Sequence, residues 1–176
     1  DFANRKGEFV SNGGGSYVNF PVNQYIAYMD RFTWYMDDDQ IELSAGKGKT
    51  KSANELAFEG SRFISTHPKQ DSLDFYSVAA RYDLASHIIN AKKVEFISVA
   101  DALIYPRDGN VVIEAKAKMQ PLDSSSVVAN SITKYHKLYN TNINVYGKRN
   151  YAGSGYYDYV DIEKTKQTIH FTTLSV

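Results

Sequence analysis

The sequence predicts an all-β protein, a sandwich or a stacked β-roll of short antiparallel strands with at most one short helix. Three observations carry this expectation. Aromatic residues make up 14% of the chain, with 14 tyrosines among them, and bulky aromatic side chains favour strands. Between residues 111 and 120, Val111, Ile113, Ala115, Ala117 and Met119 alternate with Val112, Glu114, Lys116, Lys118 and Gln120. That is period two, the repeat of a strand with one buried side and one wet side. Finally, short β-prone runs recur at roughly ten-residue intervals, each closed by Asp, Asn, Gly or Pro, a rhythm typical of sandwiches, barrels and rolls.

Taken in order, the chain opens with polar sequence that leads to Asn12-Gly13-Gly14-Gly15-Ser16. No helix-forming run follows this glycine cluster, so it reads as a turn and not as a phosphate cradle. Tyr17 to Leu43 is aromatic and β-prone, with two or three short strands expected around a break at Pro21 and Asn23. Phe32, Trp34 and Met36 alternate with Thr33 and Tyr35 and look like core positions. Asp37-Asp38-Asp39 reads as an acidic turn, because the alternate carboxylates, central Gly and closing Glu of a calcium loop are missing. Gly48-Lys49-Thr50 imitates the end of a nucleotide-binding loop. The full motif requires Gly where Leu43 stands and a long helix afterwards, so an exposed loop is expected over Ala45 to Asn54. That loop also marks a possible break (45–54) between two abutting β subdomains; otherwise the chain is one β-rich domain.

Leu56 to Ile64 resumes the β pattern, and His67-Pro68 marks a turn. Leu73 to Leu84 and His87 to Ala91 continue it. Val94 to Met119 is expected to form a β-hairpin, with Val94 to Tyr105 as its first arm. Its turn is Pro106-Arg107-Asp108-Gly109-Asn110, in which Asp-Gly supplies the backbone freedom a tight turn demands. Ser125 to Lys134 is the one stretch that fits a short helix. Asn142 to Tyr146 is again a strand, with Ile143 and Val145 inward, and Gly147 to Asn150 turns the chain. A tyrosine-rich strand over Tyr151 to Asp161, a charged turn at Glu163 to Lys166 and a strand over Gln167 to Val176 complete it. The chain opens on Asp1 and stops within this strand-like run, which reads as a piece of a longer protein.

Composition narrows the function classes. Twenty basic and 20 acidic residues balance to a formal charge of zero, without the basic stripe of a nucleic-acid binder. Cysteine is absent, which removes disulfides, thiolate catalysis and cysteine-ligated zinc. No apolar run approaches the roughly 20 residues of a membrane helix, so the chain is not expected to span a membrane by a helix. His67, His87, His136 and His170 show no zinc-helix spacing. Gly153-Ser154-Gly155 is too short for a nucleophile elbow. No cofactor or metal and no enzymatic activity are therefore expected, although paired carboxylates of a glycosidase can be scattered along a sequence without leaving a motif. Exposed tyrosines on a β surface stack on sugars or anchor protein partners. Tyr151, Tyr156, Tyr157 and Tyr159, with Trp34, are the candidate binding residues, the alternative being that they simply fill sheet faces.

Five segments together carry a resemblance. They are Gly60 to Leu73 (Gly-Ser-Arg-Phe-Ile-Ser-Thr-His-Pro-Lys-Gln-Asp-Ser-Leu), Ala80 to Leu84 (Ala-Arg-Tyr-Asp-Leu), Val99 to Pro106 (Val-Ala-Asp-Ala-Leu-Ile-Tyr-Pro), Thr133 to His136 (Thr-Lys-Tyr-His) and Tyr151 to Tyr159 (Tyr-Ala-Gly-Ser-Gly-Tyr-Tyr-Asp-Tyr). Together they resemble a family of very large β-rich envelope proteins of Bacteroidota, associated with the plug subunit of the type IX secretion translocon. The resemblance implies a periplasmic, outer-membrane-associated protein that docks on a large outer-membrane barrel and plugs its periplasmic opening during protein secretion. It brings no catalytic or ligand residues with it. Tyr82 to Ala91 and Val94 to Ile104 also look like the stacked rungs of lipopolysaccharide-bridge β-rolls, a likeness of architecture alone. Here Phe, Tyr and Val are expected to fill the interior and leave no open lipid groove. A non-enzymatic interaction module is thus the leading expectation, with a glycan-binding β-module as the alternative.

Overall fold

A computed structural model of the chain describes residues 4–10, 16–29, 31–44, 49–51, 57–130 and 132–176. The first strands are β1 (Lys6–Val10), β2 (Tyr17–Phe20), β3 (Tyr25–Tyr28), β4 (Arg31–Tyr35), β5 (Gln40–Ser44), β6 (Lys49–Lys51) and β7 (Ala57–Glu59). Then come β8 (Ser61–Ser65), β9 (Asp74–Ser77), β10 (Ala79–Asp83), β11 (Ile88–Lys92), β12 (Ile97–Val99), β13 (Ala102–Tyr105) and β14 (Val111–Ile113). The last four are longer: β15 (Leu122–Ala129), β16 (His136–Val145), β17 (Tyr151–Val160) and β18 (Lys166–Ser175). Helical structure among the described residues is confined to single turns at Pro68–Gln70, Arg107–Gly109 and Ala115–Ala117.

The strands form two antiparallel sheets packed as a sandwich, with no closed barrel. One sheet has six strands in the order β1-β4-β5-β10-β11-β14, and the other has ten in the order β18-β17-β16-β15-β13-β12-β9-β8-β3-β2. β6 and β7 pair separately. The possible domain break at 45–54 and the glycine cluster at 12–16 lie largely outside the described residues. The three aspartates 37–39 form a turn between β4 and β5, as their spacing suggests.

Period two sets the core. One inward row crosses the ten-stranded sheet through Val18, Ala27, Phe63, Phe75 and Ile97. It continues through Ile104, Val127, Leu138, Tyr157 and Ile169, so that every strand contributes one apolar or aromatic residue. Opposite residues in antiparallel strands share a face, so this row is a continuous stripe. Facing it, the six-stranded sheet sets Leu43, Ala80, Ala91 and Val111 in one row and Ile41, Tyr82, Ile89 and Ile113 in the next. Phe63 and Phe75 stack at 5.3 Å, and the large side chains of Phe20, Tyr25, Ile97 and Ile104 are fully buried between the sheets. The interior is therefore filled with side chains.

Polar bonds close one end of the sandwich. The Asn23 side chain, in the turn between β2 and β3, donates to the carbonyls of His87 (2.7 Å) and Ile113 (3.2 Å) on the opposite sheet. Gln70 donates to the Ala117 carbonyl at 2.7 Å, and the Tyr25 hydroxyl donates to Gln70 at 3.3 Å. Buried amides and hydroxyls that find such partners fix how the two sheets are set against each other.

Several expectations are corrected. Val94 to Met119 is not one hairpin. Its first arm folds on itself, β12 against β13, while β14 pairs with β11 in the other sheet. Pro106 to Asn110 therefore carries the chain between sheets, and the second arm ends at Ile113. A helical turn then follows, in which Ala115 is exposed, before Met119 bridges back to Ile113. Ser125 to Ala129 is not helical but the end of β15, paired with both β13 and β16. Trp34 points to the inner side, opposite Ile41, but it is 37% exposed, and Phe32 and Met36 are only half-buried. β4 lies next to the sheet edge, and the β1 residue beyond Trp34 is Gly7, which has no side chain to cover it. By contrast, Ile143 and Val145 are inward and buried, as expected.

Candidate interaction surface

The ten-stranded sheet extends past the six-stranded one at its β16–β18 end. These strands have ten residues each, the longest of the chain's described strands. The inward stripe loses its cover here. Val127 and Leu138 are buried, Tyr157 is half-buried, and Ile169 and Phe171 are each 38% exposed. β18 is exposed on both faces along its length, with Leu174 alone half-buried, and it forms the edge of the sheet. An edge strand presents unpaired backbone N–H and C=O groups, and that row is a template for another strand.

The pleat of β17 sorts its tyrosines. Tyr151, Gly153, Gly155, Tyr157 and Tyr159 fall on the inner face, and Tyr156 and Asp158 fall on the outer face. The candidate binding residues are thereby divided. Tyr151 is 7% exposed, its phenol pushed up by burial, and belongs to the core. Tyr157 packs against His136, with ring centroids 5.6 Å apart. Tyr159 is 48% exposed near the far end of the strand. Tyr156 stands alone on the other face, and Trp34 lies on the other sheet.

Residues that sequence reasoning missed complete the outer face. Tyr139, Tyr156 and His170 are cross-strand neighbours on β16, β17 and β18. Their rings stack, Tyr139 on Tyr156 at 6.0 Å and Tyr156 on His170 at 4.5 Å, with interplanar angles of 26° and 15°. Tyr156 lies between the other two rings, and the ladder ends on Tyr139 at one side and on His170, at the sheet edge, at the other. Asp158 sits beside this ladder. It accepts from the Tyr139 hydroxyl (2.9 Å) and the Thr168 hydroxyl (2.9 Å), and it pairs with Lys166 Nζ at 2.7 Å. The Lys166 hydrogen bond, then those from Thr168 and Tyr139, hold the Asp158 carboxyl below its ordinary value, and Asp158 in turn raises Lys166. The Tyr and Asp residues could be read from sequence, but their grouping depends on strand register.

Elsewhere the surface is less distinctive. A cleft of about 160 Å³ at the opposite end is lined by Phe9, Tyr17, Val18, Met29, Arg31 and Phe32, with Phe9 and Phe32 stacked at 4.3 Å. A cleft of about 560 Å³ on the outer face of the six-stranded sheet contains one carboxylate, Glu42. Arg81 donates to it at 2.5 Å and the Tyr35 hydroxyl at 3.1 Å, and the Arg81 bond lowers its pKa. A third, of about 220 Å³, holds Asp108 and Asp123, engaged by Arg107 and Asn142 respectively. Among the described residues no three His, Asp or Glu side chains gather in a way that could hold a metal ion. No helix among them is long and apolar enough to cross a membrane. Comparison with family models, with curated proteins and with solved structures returned no match.

Proposed function

We propose that this chain is a non-catalytic interaction module that takes a protein partner along the β18 edge. The observation that carries the reading is the edge itself: a ten-residue strand, exposed on both faces, flanked by an apolar stripe that the second sheet does not cover. Backbone groups supply affinity in such strand addition, and flanking side chains supply selectivity. The resemblance of the five sequence segments names the kind of partner, a large outer-membrane barrel met from the periplasm, with this module helping to plug its opening. A protein strand suits the surface better than a sugar does. The tyrosines are divided between two faces, and in the outer ladder Tyr156 is held between two other rings.

The test is affinity purification of the protein in its native membranes, with co-purifying proteins identified and their stoichiometry measured. The expected result is a large barrel at one-to-one ratio that survives high salt and is lost on Ile169→Lys, with the circular dichroism of the variant unchanged. Recovery of the protein free of any barrel, or equal retention by the variant, overturns the reading.

A further inference from the structure

We propose that the two hairpin tips at one end of the β15–β18 ribbon form a lipid-contact site, which seats their apolar side chains at the surface of a bilayer. The site is built from turns and goes beyond the strand-addition reading, on which it does not depend.

Surface turns are ordinarily built from Gly, Pro, Asn, Asp and Ser. The turn between β15 and β16 instead carries Ile132 and Tyr135, 91% and 80% exposed, and the turn between β17 and β18 carries Ile162, which is 100% exposed. β16 and β17 are antiparallel neighbours, so both turns leave the ribbon at the same end. Their centres are two strand spacings apart, about 10 Å. Tyr159 and Val160, both exposed, lie just beneath the second tip. Single exposed apolar side chains are ordinary on a protein surface. Here five apolar or aromatic ones are gathered at one end of one ribbon.

The backbone of both tips is already paired, so entering a medium poor in water costs it little. Asn130 Oδ1 accepts from the N–H groups of Ile132 (3.3 Å) and Thr133 (3.1 Å), and the Asn130 carbonyl accepts from that of Lys134 at 2.8 Å. In the second turn the Asp161 carboxylate accepts from the Thr165 N–H at 2.8 Å and the Asp161 carbonyl from the Lys164 N–H at 3.1 Å. The Asp161 N–H donates to the Thr165 carbonyl, also at 3.1 Å. Charge favours an anionic surface. Lys134, Lys137, Lys164 and Lys166 stand at this end against Asp158, Asp161 and Glu163, whereas the chain as a whole is balanced. Lysine stems hold their amines at the level of lipid phosphates while apolar neighbours go deeper, and a tyrosine ring suits the same boundary. Glu163, next to Ile162, keeps the contact shallow. Two separate projecting tips meet a fluid surface without shape matching, whereas a protein would have to offer two matched pockets.

The test is flotation of the chain with vesicles of phosphatidylcholine and phosphatidylglycerol. The chain should float with them. Ile132→Ser combined with Ile162→Ser should weaken binding by about tenfold or more, through the loss of two apolar side chains from the contact. The circular dichroism of this variant should be unchanged, because neither side chain packs in the fold. The chain contains no cysteine, so a single introduced one carries a dye. An environment-sensitive dye on Thr133→Cys should shift to the blue with vesicles and be quenched by spin labels high on the acyl chains. The same dye on Arg149→Cys, in the turn at the other end of β16 and β17, should do neither. A chain that stays out of the vesicle fraction, a double-serine variant that binds as well as the natural chain, or equal quenching at both ends overturns the inference. Recovery of the barrel by a chain that ignores vesicles defeats the lipid contact alone. Vesicle binding by a protein recovered without the barrel defeats the docking reading alone.

Discussion

Tyr25 shows how a single side chain sets the protein's response to alkali. It is fully buried, and its hydroxyl donates to Gln70, which in turn holds the Ala117 carbonyl. Burial pushes its phenol far above the ordinary value of 10.0, with a hydrogen bond involving Ser65 pulling slightly back. A folded-state pKa above the unfolded one contributes stability below the unfolded value, and that contribution is lost as pH rises toward the folded value. Alkali therefore favours the unfolded chain. At neutral pH, Tyr25→Phe should cost about 1 kcal/mol through the lost hydrogen bond. The gap to the natural chain should narrow above about pH 10, where an unfolded phenol ionises. Urea titrations at neutral and alkaline pH read both numbers, and a gap that does not change with pH would refute the argument. No sequence pattern marks Tyr25 among 14 tyrosines. Its burial comes from its place in the ten-stranded sheet, between β2 and β8.

At the level of elements, the β16–β18 ribbon is held by its own cross-strand bonds where the second sheet does not cover it. Asp158 ties three strands by accepting from Tyr139 on β16 and Thr168 on β18 and pairing with Lys166. Its carboxyl is lowered, so its support is complete above the ordinary carboxylate value and is lost as pH falls through the lowered one. Amide protection factors in β17 and β18 should therefore drop relative to those of β8 and β9 as pH falls from about 5 toward about 2. In Asp158→Asn the ribbon should start less protected, with a much flatter acid response. Equal acid sensitivity in the variant would assign the effect elsewhere. Gly153 shows why this ribbon has glycine within a strand: a Cβ there would collide with the backbone carbonyl of Asn142 and the side chain of Ile143. That Tyr151 to Tyr159 lie on one strand was legible in the sequence. The ladder was not, because bulges after Tyr139 and Gly153 reset which residues meet across strands.

For the molecule as a whole, the continuous stripe across the ten-stranded sheet is the main cohesive feature. Phe75 lies at its middle, 2% exposed and stacked on Phe63 with the ring planes 3° apart. Phe75→Ala should destabilise the fold by about 3–5 kcal/mol, because a large cavity opens where neither sheet can collapse. Urea denaturation followed by circular dichroism and by Trp34 fluorescence should give coincident curves for the variant and for the natural chain. These probes report the whole sheet content and the edge of the six-stranded sheet, respectively. Separate curves would show that the two sheets do not unfold as one unit. The period-two pattern and the turn residues were enough to determine that the chain is built of strands, where most of them break, and that Ile143 and Val145 face inward. Those features are local: the pleat turns successive side chains to opposite sides whatever strand lies alongside. The tertiary structure alone decided that β14 joins β11 and not β13, that Ser125 to Ala129 extends a strand, and that the ten-stranded sheet outruns its partner and leaves β18 uncovered. Those outcomes turn on which distant segments exclude water together, and no window of neighbouring residues contains that information.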